Sequence, residues 1–76
     1  MVSAIILVNT DLGAETKVLA SLKQVEGVQE AHRLCSVYDV AVNVNANSID
    51  RLKEIVSYNI RKLSGVSDTL TLMVVD

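Results

Sequence analysis

The stretch "HRLCSVYD", His32 to Asp39, gathers most of this chain's reactive side chains. An imidazole and a thiol three residues apart could ligate a metal or act as base and nucleophile. No third ligand or orienting group stands nearby in the sequence, and a lone thiol usually behaves as a small hydrophobe. Asp39 asks a different question, because an apolar β-branched run, Val40 to Val44, follows it directly. A carboxylate there can accept hydrogen bonds from an ammonium group, or it can fasten a turn through nearby backbone amides. The carboxylate pairs Asp11/Glu15 and Asp50/Glu54 fall where helices begin, and favourable charge near the helix dipole accounts for them. No catalytic constellation emerges, so the chain is not read as an enzyme.

These residues must be positioned by a small scaffold. With 76 residues, one domain spanning 1–76 is expected. A domain of this size buries too little surface to be comfortable alone. The single cysteine, Cys35, excludes an internal disulfide, and no clustered His/Cys set offers a structural metal, so no cofactor is expected. Self-association is the remaining remedy. Half the residues are hydrophobic, mostly Val, Leu, Ile and Ala.

Seven basic residues face nine acidic ones, for a formal charge of −2, and no basic run occurs. The electrostatic footprint of a nucleic-acid binder is therefore missing. The start, "MVSAIILVNT", lacks a basic leader and is far short of the ~20 residues a membrane helix needs. A cytoplasmic protein with no membrane contact is expected.

The hydrophobic period switches five times along the chain. Val2 to Asn9 reads as a β-strand. Thr10 or Asp11 could cap a helix whose Ala14, Val18, Leu19, Leu22 and Val25 share one face, with Gly27 ending it. Val28 to Leu34 reads as a charged edge strand. Tyr38 to Asn45 reads as a central strand, with Val40, Val42 and Val44 facing one way and Asp39, Ala41 and Asn43 the other. Asn47 or Ser48 could cap a second helix with the stripe Ile49, Leu52, Val56, Ile60 and Leu63, closed at Gly65. Val66 to Val75 reads as the last strand. This order predicts an α+β fold, the ferredoxin-like βαββαβ sandwich, with a four-stranded antiparallel sheet and two helices on one face.

Both faces of the first and last strands are apolar. A sheet face left bare of helices should be polar in a monomer, so a homodimer closed through that face is expected. Ile5, Leu7, Ala41, Met73 and Val75 are its expected interface residues.

Fold alone does not give function. RNA-binding sandwiches need exposed aromatics on the central strands, and only Tyr38 stands near one. Metal-carrying members need cysteines near the first turn, and acylphosphatase-like members need an arginine there. The turn "NTDLGAE" has neither.

The segments Ser36-Val37-Tyr38-Asp39 and Gly65-Val66…Thr69-Leu70-Thr71 resemble the "G-x-Y-D" turn and the "gV…T-x-T" last strand of the ligand-sensing domain of Lrp/AsnC transcription regulators, the RAM domain. The resemblance covers essentially the whole chain and is to the stand-alone form, without a helix-turn-helix. Ser36 departs from the family's glycine. The resemblance implies an amino-acid effector bound between neighbouring dimers, with Ser36, Val37, Tyr38 and Asp39 lining the site beside Thr69 and Thr71. It also implies dimers assembled into rings, commonly octamers, with full-length Lrp/AsnC regulators as further partners in the transcriptional control of amino-acid metabolism. Thr69 and Thr71 read from the residues alone are equally ordinary strand positions. A small dimeric α+β barrel enzyme using His32 or Tyr38, and a ligand-free assembly module, stay open as alternatives.

Overall fold

A computed structural model describes residues 1–75. Strand β1 spans Val2–Thr10, helix α1 Glu15–Leu22, β2 Val28–Arg33, β3 Val40–Ala46, helix α2 Ile49–Glu54 and β4 Val66–Val74. The sheet order is β2-β3-β1-β4, antiparallel at every junction. This is the expected ferredoxin-like sandwich, with β1 and β3 in the centre.

Period two makes the central strands. Ala4, Ile6 and Val8 of β1 stand opposite Val44, Val42 and Val40 of β3, and all six are buried. Helix side chains close the core over them: Val18 and Leu22 from α1, then Leu52, Ile55, Val56 and Ile60 from the second helical segment. By contrast, β4 carries no buried side chain.

Two helix ends depart from expectation. Neither Thr10 nor Asp11 caps α1 with its side chain; Ala14 holds the N-cap position, and its amide bonds to the Asp11 carbonyl at 2.9 Å. The chain leaves β1 through a turn before it can wind. For α2, Ser48 is the cap: its Oγ accepts from the Arg51 amide at 3.1 Å.

The second helix does not run on as an α-helix. Ile55–Ile60 is π-helical, and the Arg61 amide reaches back five residues to the Val56 carbonyl at 2.9 Å. An α-helix advances 100° per residue, so nine steps from Leu52 would put Arg61 about 180° away, fully outward. The π turn absorbs about one residue, which brings Arg61 round to roughly 80°, onto the flank facing β4. It also turns Ile55 and Ile60 inward together. Ile49, expected in the buried stripe, is exposed, and Ile55 takes the core position instead.

The antiparallel register sorts the two sheet faces. Ile5 stands opposite Leu72 and Leu7 opposite Leu70, whereas Ala4 stands opposite Met73, Ile6 opposite Thr71 and Val8 opposite Thr69. Opposed residues share a face. Thr69, Thr71 and Met73 are therefore on the helix side. The bare face is built from Ile5, Leu7, Ala41, Leu70, Leu72 and Val74, flanked by Ser3, Asn43 and Asn45. Met73 thus does not share a face with Ile5 and Leu7, and Val75 lies past the end of β4. Alternation in a strand apolar at every position could not decide between the two sets; the register does.

Gly27, at the entry to β2, has φ +91°, and an added Cβ would sit 2.7 Å from the Asn45 carbonyl oxygen. Gly13 has φ +84° but open space around it. Gly13→Ala should cost about 1 kcal/mol, the conformational penalty alone. Gly27→Ala should cost about 2 kcal/mol or more, lowering the melting temperature by roughly 10 °C. Thermal unfolding of both variants tests this, and equal losses would contradict the close approach.

Candidate functional site

The bend between β2 and β3 holds Ser36, Val37, Tyr38 and Asp39. It is closed by a bond from the Leu34 amide to the Asp39 carbonyl at 2.8 Å. Ser36 and Val37 are exposed, and Tyr38 and Asp39 are half-buried. Tyr38 and Asp39 precede β3 rather than opening it. No residue other than glycine has positive φ among the described residues, so Ser36 adopts an ordinary backbone conformation and glycine is not required there.

Asp39 is tied to the far end of β1. Its Oδ2 accepts from the Thr10 amide at 2.9 Å and lies 3.3 Å from the Thr10 hydroxyl. Its own amide donates to the Val8 carbonyl at 3.0 Å. The β1–β4 register slips between Asn9 and Thr10, and β1–β3 pairing ends at Val8 and Val40. The Thr10 amide stands beyond the last β1–β3 pair, and the Asp39 side chain supplies its acceptor. Turn fastening is thus an observed role of this carboxylate. Oδ1 has no partner among the described residues. Sequence reasoning missed Thr10 as the partner, since it read that residue as a helix cap.

Thr69 and Thr71 do not meet this bend. Thr69 lies level with Val8 and Val40 but two strands away from β3, roughly 10 Å at the usual strand spacing. Thr71 is one further pair along β4. Asp39 and the two threonines are therefore separated by the width of β1 within one chain. Within one chain Asp39 lines neither the hollow of Thr69 nor the groove of Thr71.

Thr71 does line a groove of about 360 Å³ between the second helix and β4, with Leu52, Lys53, Val56, Ser57, Arg61 and Met73. Thr69 lines a smaller hollow of about 120 Å³ with Arg61, Val66, Ser67 and Asp68. Arg61 borders both.

The remaining candidates stand apart. His32 is exposed on β2, its Nε2 3.3 Å from Glu30 Oε1. Cys35 is exposed. The shallow groove beside His32 is lined by β2 residues and Lys23, without Tyr38 or Cys35. Among the described residues no group of three His, Cys, Asp or Glu side chains could hold a metal, and no helix is long and apolar enough to cross a membrane.

Comparison with known proteins bears on this geometry. The family model for the Lrp/AsnC ligand binding domain matches residues 3–76. No curated protein matches the chain. Among solved structures, FFRP-DM1 is 31% identical with a TM-score of 0.95, over 99% of this chain and 100% of that one. AsnC of E. coli is 25% identical with a TM-score of 0.92, over 99% of this chain but only 51% of AsnC. A transcriptional regulator of Neisseria meningitidis, solved with L-Met, shares the fold at 18% identity and a TM-score of 0.89, over 99% of this chain and 50% of the regulator. With the family pattern running from residue 3 to residue 76 and the fold shared end to end, the chain belongs to the Lrp/AsnC ligand-binding domain family.

Proposed function

We propose that this domain binds a free amino acid between copies of itself and senses it as an effector in transcriptional control, in the cytoplasm and without catalysing a reaction. The observation that carries the reading is the half-used carboxylate of Asp39. Oδ2 is committed to Thr10, Oδ1 has no hydrogen-bond partner among the described residues, and Ser36 and Val37 of the same bend are exposed. An amino acid brings an ammonium group for Oδ1 and a carboxylate for turn amides or the hydroxyls of Thr69 and Thr71. The Neisseria regulator bound to L-Met supports the ligand class. The separation of Asp39 from Thr69 and Thr71 supports a site completed by a second chain.

Assembly begins at the bare sheet face. Ile5, Leu70, Leu72 and Val74 are each 40–44% exposed there, beside Leu7 and Ala41. Packing two such faces about a two-fold axis removes the apolar surface of both. Higher rings of dimers, and mixed assembly with full-length Lrp/AsnC regulators, follow from the same family reading.

Light scattering coupled to size exclusion should report at least a dimer at micromolar concentration. Leu72→Glu should give monomers or precipitate, since an unpaired charge buried in the interface costs several kcal/mol. Met73→Gln, on the opposite face, should leave the assembly intact. A wild-type monomer at all concentrations, or equal disruption by both variants, would remove the face-to-face dimer.

Two substitutions separate the roles of Asp39. Asp39→Ala should lose the Thr10 bonds and destabilise the fold by about 1–3 kcal/mol. Asp39→Asn keeps an acceptor oxygen for the Thr10 amide but loses the charge. It should fold nearly as well as wild type, yet bind the best amino acid from a melting screen about tenfold more weakly. Calorimetric titration decides, and unchanged affinity in Asp39→Asn would take Asp39 out of the site.

A further inference from the structure

The groove between the second helix and β4 has a chemistry of its own. Its floor is apolar, made by Leu52, Val56 and Met73. Its rim carries two cations, Lys53 and Arg61, and two hydroxyls, Ser57 and Thr71. No acidic residue lines it. The neighbouring helix carboxylate, Glu54, lies 3.6 Å from Arg51 on another flank. Neither Lys53 nor Arg61 forms an ion pair among the described residues. Such a pair of cations beside hydroxyl donors and an apolar trough is complementary to a small anion with an apolar tail, of which an aliphatic carboxylate is the simplest.

The backbone makes this arrangement on purpose of geometry rather than chance exposure. In an unbroken α-helix Arg61 would point away from the sheet; the π turn at Ile55–Ile60 swings it over β4, in line with Lys53 and Ser57. Irregularities of this type recur at functional sites. The edge position of β4 leaves Thr71 and Met73 uncovered on the helix side, where a second sheet packed on the bare face does not reach them.

We infer that the groove between the second helix and β4 binds a small aliphatic carboxylate, held at its anionic end by Arg61 and Lys53 and at its tail by Leu52, Val56 and Met73. Arg61 offers a planar fork matched to the carboxylate, and Lys53 adds a point charge. The site uses no residue of the Ser36–Asp39 bend and needs no ammonium group on the ligand. It shares Thr71 with the effector site proposed above, and Asp39, which belongs to that site alone, separates the two.

The probe is 3-methylbutanoate, which carries the carboxylate and the branched tail but no ammonium, with 3-methylbutylamine as the opposite-charge control. In an NMR titration of the full chain, signals of Val56, Thr71 and Met73 should move with the acid and stay still with the amine. Arg61→Gln should weaken the acid's binding about tenfold, the loss expected for a charge-assisted contact. Because Arg61 is exposed, the variant should keep its fold, which its spectrum reports directly. Thr71→Val should weaken binding by a smaller factor. Asp39→Asn should leave affinity for the acid unchanged, which keeps this test separate from the effector reading. No response to the acid, an equal response to the amine, or wild-type affinity in Arg61→Gln would overturn the inference.

Discussion

The pairing of β1 with both β3 and β4 is the constraint on which the rest depends. It fixes Ala4, Ile6 and Val8 against the helices and, by the same alternation, fixes Ile5 and Leu7 outward. A shift of one residue would exchange the two sets, and in β1 both sets are apolar, so hydrophobicity along β1 alone does not hold the register. β3 supplies the discrimination. Its inward side chains are Val40, Val42 and Val44, while Asn43 and Asn45 face the other way. Burying those two amides against the helices without partners would cost far more than exposing Ile5 and Leu7. The polar side of β3 also limits the apolar surface to a stripe along β1 and β4.

Asp39 joins this register to the candidate site. Beyond Val8 and Val40 the central ladder ends, and the Thr10 amide receives the Asp39 carboxylate. One side chain thus closes the sheet at the end where the bend Ser36–Asp39 is presented. A residue with a structural task and a free second oxygen is well suited to ligand binding, because its orientation is already fixed before the ligand arrives. The cost of holding the carboxylate in place is met by folding and not by binding.

Legibility in the sequence follows the strength of each physical signal. Element order, the central position of β1 and β3, and the Ser48 cap could be read, since alternation, helical spacing and a capping hydroxyl are local. The face of Met73 and Val75 could not, because β4 is apolar on both sides and only its register against β1 separates Met73 from Leu72. The π turn was invisible for another reason. The stripe Ile49, Leu52, Val56, Ile60 and Leu63 fits a regular helix on paper, yet Ile49 is exposed and Ile55 is buried. Tertiary packing selects the phase, and the added residue in the turn lets Ile55, Val56 and Ile60 reach the core together. The motif Ser36–Asp39 was legible as a resemblance, but its hydrogen bond to Thr10 joins residues 29 positions apart and has no local signature.

The same edge strand serves both faces of the molecule. β4 has a neighbour on one side only, and helix cover stops short of it, so Leu70 and Leu72 are left bare on one face and Thr71 and Met73 on the other. Two copies packed through the bare face would bury the first pair and leave the second untouched. Packing through the bare face and the cationic groove therefore do not compete for surface. The bare face and the groove rest on a single strand, and its pairing with β1 sets which residues each of them receives.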